Sequence, residues 1–188
     1  MSAPSAERVS DRALVLYALI RRATIEHTLG GFEDEPIRIR QAEGARAETT
    51  RWLEREGVDA AVDEGERSLF DAVSGAWPSD AIADGMWRKE ALGALLWSLR
   101  HVERMPPIDD EFEVSVLNER IERYGSVSSF RSNGSLRSAE ELEAAGHEAG
   151  AWFAATEGRD GPDATLASIG AERSRALGWV LDDARPLP

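Results

Sequence analysis

The chain has 188 residues, enough for one domain of ordinary size with a real core. It contains no cysteine, which excludes disulfides, thiolate metal sites and cysteine nucleophiles and suits a reducing, cytoplasmic setting. Lys and Arg total 22 against 35 Asp and Glu, a net charge of −13, and a surface this acidic disfavours nucleic-acid phosphates and anionic membranes as partners.

The elements follow the helical period. Ser10-Asp11 are placed to cap a first helix with an apolar stripe of Leu14, Tyr17, Ala18, Arg21 and Ile25, ended by Gly30-Gly31. After the acidic connector Glu33-Asp-Glu-Pro36, a second helix is expected from about Ile37 to Glu56, with Gly57 as its stop. Asp63-Glu-Gly-Glu66 has capping-box spacing and opens a short third helix. Trp77-Pro78-Ser79 breaks it, and Ser79 opens a long fourth helix running to Met105-Pro106-Pro107. Val114, Leu117, Ile121 and Tyr124 fit a fifth. The stretch Gly125 to Gly134 is rich in serine and glycine and reads as a loop anchored by Phe130. Ser138-Ala-Glu-Glu141 is a second capping box, ahead of a stripe of Leu142, Ala145, Ala149, Trp152 and Phe153. Gly158 to Asp163 reads as a loop, and a last helix covers about Ala164 to Leu181.

No stretch alternates apolar and polar residues beside a hairpin turn. The expected fold is therefore all-α: a single domain of about seven helices over residues 10–182, around a buried central helix at about 79–104. Residues 1–9 are expected to be loosely ordered and 183–188 to form a tail.

The fourth helix carries the most information. Trp87, Glu90, Ala94 and Trp97 lie on one side, and Leu92, Leu95, Leu99 and Val102 on the other, led by Arg88. A helix apolar nearly all round is buried in the middle of its domain. That places Arg88 and Glu90 in apolar surroundings, where charge is costly unless paired. Partners are expected from Arg46, Glu48, Glu172, Arg173 and Arg175. The arrangement is either an ion network fixing helix register or a polar site in an apolar pocket. The six tryptophans, Trp52, Trp77, Trp87, Trp97, Trp152 and Trp179, read as core aromatics, or as the lining of such a pocket.

Markers of known chemistry are missing. His27, His101 and His147 fall on three different expected helices, and the one fair pairing with a carboxylate, Glu143 with His147, is a two-ligand coincidence, so no metal is expected. There is no nucleophile elbow and no phosphate-binding glycine pattern. The opening residues lack the apolar stretch of an export signal, and the most apolar run, Ala91 to Leu99, is too short to span a bilayer.

Trp87-Arg-Lys-Glu-Ala-Leu followed by Leu96-Trp97 resembles the signature of an uncharacterised bacterial family, the domain of unknown function family 4272. Trp52-Leu-Glu-Arg-Glu-Gly-Val58, Leu136-Arg-Ser-Ala-Glu-Glu-Leu142 and Glu172-Arg-Ser-Arg-Ala-Leu-Gly-Trp179 resemble further family segments, in order. The resemblance runs from about residue 10 to 182. It departs at Gly178, where the family usually has Asn, and in a shorter tail. It implies a helical fold and singles out Trp87, Arg88, Glu90, Arg173, Arg175 and Trp179. It implies no activity, substrate or cofactor.

The functional expectation is a non-enzymatic interaction module whose acidic surface takes a basic protein partner, with no cofactor. The rival is a small-molecule-binding protein or enzyme with a pocket around Trp87, Arg88, Glu90 and Arg173. Trp97, Arg175 and Trp179 complete the candidate set, and no catalytic residue is assigned.

Overall fold

The computed structural model describes residues 3–30, 35–159, 161–182, 184–185 and 187–188. Among them the chain forms eight α-helices: α1 (Ala6–Leu29), α2 (Pro36–Arg55), α3 (Glu64–Asp71), α4 (Ser79–Ser98), α5 (Val114–Glu122), α6 (Val127–Asn133), α7 (Ala139–Thr156) and α8 (Pro162–Leu181). One 3-10 turn covers Asp59–Ala61, and the described residues include no strand. None of their helices is long and apolar enough to cross a membrane. The all-α expectation holds. The chain divides into two compact units, Leu14–Met86 and a second built from Met1–Ala13 with Trp87–Pro188.

In the unit Leu14–Met86, every residue from Leu14 to Ile20 is buried, so this stretch of α1 is apolar all round rather than on one stripe. Arg21, expected on that stripe, is exposed, and it is Arg22 that is buried. Arg22 pairs with the buried Glu26 one turn on and donates to the Ala72 carbonyl at 3.0 Å. Glu26 also accepts the Gly75 N–H at 2.9 Å and the Trp77 N–H at 3.2 Å. The guanidinium lies over the Trp77 ring, and the indole N–H reaches the Leu69 carbonyl at 2.9 Å. One buried ion pair thus holds the turn between α3 and α4. Glu43 on α2 holds the same turn through the Ser74 N–H, and this pulls its carboxyl below the usual range. Pro36 opens α2, where a missing N–H costs nothing. Gly57, at φ 64°, follows its end as expected. The Asp63–Glu66 capping box forms as the sequence predicts. Gly31 of the expected helix stop and Glu33 and Asp34 of the acidic connector lie outside the described residues.

In the other unit, α1 starts at Ala6, four residues before the expected cap. Ser10 is inside the helix, its hydroxyl donating to the Ala6 carbonyl at 2.8 Å, and Asp11 pairs with Arg131 at 2.5 Å. Residues Glu90 to Leu96, with Ser98 and Leu99, are all buried, so this half of α4 is the sunken helix the sequence predicts. It ends at Ser98, well short of the expected 104. Arg100 sits in the left-handed region at φ 63°. The His101 N–H reaches back to the Leu96 carbonyl at 2.9 Å, and that of Arg100 to Trp97 at 3.0 Å. This is a Schellman ending with arginine where glycine is usual, hence no stop signal in the sequence. Arg137 completes the cap. Its guanidinium donates to the Trp97 carbonyl at 2.8 Å and the Glu103 carbonyl at 2.9 Å, and lies 4.4 Å over the Trp97 ring.

The expected serine–glycine loop is mostly helix α6, capped by Ser126, whose hydroxyl accepts from the Ser129 N–H. Phe130 is buried, as its anchoring role requires. The Ser138 capping box opens α7, and its serine and Arg137 bring the Glu141 carboxyl down to about 2. Helices α7 and α8 approach closely because glycines face the contact. A Cβ on Gly170 would lie 2.9 Å from the Phe153 nitrogen and 3.0 Å from the Ala149 oxygen. Gly146 and Gly150 leave the matching room for Leu177 and Ser174.

Candidate functional site

Glu90 is fully buried in α4 and Arg173 nearly so in α8. Glu90 Oε2 accepts from Arg173 Nε at 2.9 Å and stands 2.8 Å from Nη2, a close ion pair. Glu90 Oε1 accepts the Phe112 N–H at 2.9 Å. Every neighbour of the carboxylate is a donor, which matches its ionised form. Burial pushes its pKa up, and Arg173 with the Phe112 N–H pull against that shift.

Arg173 is engaged on every nitrogen. Besides Glu90, its Nη1 donates to the Pro106 carbonyl at 2.9 Å and to Pro107 at 3.2 Å. Its Nη2 donates to the Asp110 carbonyl at 2.7 Å. All three guanidinium nitrogens are thus engaged by acceptors. Its carbon also lies 5.0 Å over the Phe112 ring. The ring in turn occupies the notch left by Gly93, where a Cβ would come within 2.3 Å of it. The pair therefore lashes the strap Pro106–Phe112 across α4 and α8.

The remaining predicted residues are less sealed. Arg88 pairs with Glu172 at 3.3 Å, and the same glutamate takes Arg175 on its other oxygen. The expected partners Glu172, Arg173 and Arg175 are thus all engaged here, whereas Arg46 and Glu48 pair within α2, with Glu43 and Arg51. Trp87 and Trp97 are half-buried, Lys89 stands over Trp87, and Lys89 also pairs with Glu111 on the strap. Trp179 is buried, its indole N–H without a hydrogen-bond partner, and Arg8 lies 5.7 Å over its ring. Of the six tryptophans only Trp77 and Trp179 are core residues. Trp152, expected in the core, is 39% exposed.

One cluster escaped the sequence reading. His101, 3% exposed, bonds Tyr124 Oη through Nδ1 at 2.7 Å, and Arg123 donates to the same oxygen at 2.9 Å. Phe130 stacks on the imidazole at 4.4 Å between centroids. Burial, with Arg123 beside it, lowers the histidine pKa to about 4. The unfolded chain takes up this proton near pH 6.5 and the folded one only near 4, so stability is lost as pH falls through that window. Chemical denaturation at pH 7.5 and pH 5 should show a loss of about 2 kcal/mol in the wild type. His101→Gln should remove most of that difference, and an unchanged pH slope would exclude His101 as its source.

No group of three or more histidines, aspartates and glutamates among the described residues is placed to hold a metal ion. A family model described as "Domain of unknown function (DUF4272)" matches residues 1–185. No match was found among curated proteins or among solved structures.

Proposed function

We propose that this chain, which belongs to the DUF4272 family, is a non-enzymatic protein-interaction module that takes a basic partner on its acidic surface. The observation that carries the reading is the engagement of Arg173, whose three guanidinium nitrogens all end on Glu90 and the strap carbonyls. A group so engaged has nothing left with which to polarise or grip a substrate. Glu90 is engaged likewise by Arg173 and the Phe112 N–H, so the pair reads as scaffold rather than as a pocket floor. The net charge of −13 selects the sign of the partner and makes encounter dependent on ionic strength.

The test is affinity capture from the source cells followed by titration with each purified partner. A basic partner whose Kd weakens about tenfold or more between low and physiological salt is the expected result. Partners that are acidic, or binding indifferent to salt, would overturn the reading. So would turnover or specific binding of a metabolite lost in Glu90→Gln while the fold is retained.

A further inference from the structure

We infer that the C-terminal half of α7 is the docking face for a basic amphipathic helix of a partner protein, with Trp152 as its anchor; this rests on the interaction reading above. The inward side of α7 is fixed. Leu142, Ala149 and Thr156 are buried, and Gly146, Gly150 and Gly170 bring α8 into close contact. The helix therefore presents its other side rigidly, which limits the ordering cost of binding. On that side Ala151, Trp152 and Ala155 are exposed, with Glu148 one turn before Trp152. Tryptophan is the residue that most often dominates interface energies, because it buries a large area at small entropic cost.

Charge identifies the occupant. Glu140, Glu143 and Glu148 are exposed along α7 and Glu157 follows its last residue, while the helix holds no lysine or arginine. The negative end of the helix dipole lies at the same C-terminal turn. A second copy of this face would set carboxylates against carboxylates. A helix with lysines or arginines flanking an apolar stripe instead sets cations on the rim and leucine-like side chains on Trp152 and the alanines.

The experiment titrates the full chain, isotope-labelled for NMR, with a synthetic amphipathic helix of leucine and lysine, and with its leucine–glutamine counterpart. Shifts confined to Ala151–Thr156 and their neighbours, and weaker binding of the glutamine peptide, support the proposal. Trp152→Ala should weaken the lysine peptide about thirtyfold, in keeping with loss of a hot-spot tryptophan. Because Trp152 is exposed, the variant's spectrum should otherwise match the wild type; Trp152→Gln serves if it does not. Shifts that map to another surface, with affinity unchanged in Trp152→Ala, overturn this docking face and leave the interaction reading standing. Failure of the wild type to bind the lysine peptide, or equal binding of both peptides, overturns the basic-partner reading as well.

Discussion

Glu90→Ala is expected to lower the stability of the folded chain by about 3–5 kcal/mol, read as a shift of the urea midpoint at neutral pH. The cost has two sources. The variant leaves the Arg173 guanidinium buried with carbonyl dipoles but no counter-charge, and it orphans the Phe112 N–H. Glu90→Gln keeps an acceptor for one or two of these donors and should lose less. The double variant Glu90→Met with Arg173→Met is the decisive arm. Removing both charges together is far less costly than removing one, so its loss should fall well below the sum of the single losses. A loss under about 1 kcal/mol for Glu90→Ala would mean that water reaches the pair, and the sealed-scaffold account would fail.

Gly93→Ala is expected to destabilise by about 3 kcal/mol, although helix propensity alone argues for a gain of about 1 kcal/mol. Sterics settle the sign. The new methyl would sit 2.3–2.4 Å from three carbons of the Phe112 ring, and a ring struck on its face cannot yield by rotating a flexible tip. Phe112 must leave its buried place, and its N–H is drawn away from Glu90. Phe112→Ala has its own cavity cost, but once the ring is gone the addition of Gly93→Ala should cost little or stabilise. Thermal melts of the four chains test this, and additive losses would show that the ring is not what Gly93 accommodates.

Sequence reading succeeded where local rules and burial agree. The two capping boxes at Asp63 and Ser138 and the all-round apolar run of α4 each have a local cause. Burying that run made a partner for Glu90 obligatory, and Arg173 supplies it from 83 residues away. What stayed hidden has equally specific causes. The end of α4 depends on Arg100 taking a conformation that favours glycine, held by Arg137. Helix α6 is short and built of serines that suit turns as well as first turns of helices, so only Phe130 and Val127, both buried, distinguish the two. Arg22 and Glu26 carried a legible i,i+4 spacing inside an apolar helix. A period phased on Arg21 lies one residue off and turns the buried pair outward. Trp152 falls at the margin of the α7 stripe, where period alone does not distinguish edge from core.

The pairing of Lys89 with Glu111 gives the strap a natural gauge. Lys89 is the chain's one lysine, so an amine-directed reagent finds a single ε-amino group, and that group is engaged whenever the strap lies down. Its rate of modification reads out how often residues 106–112 lift from the helices beneath them, with no probe to be engineered and no other side-chain amine to confuse the count.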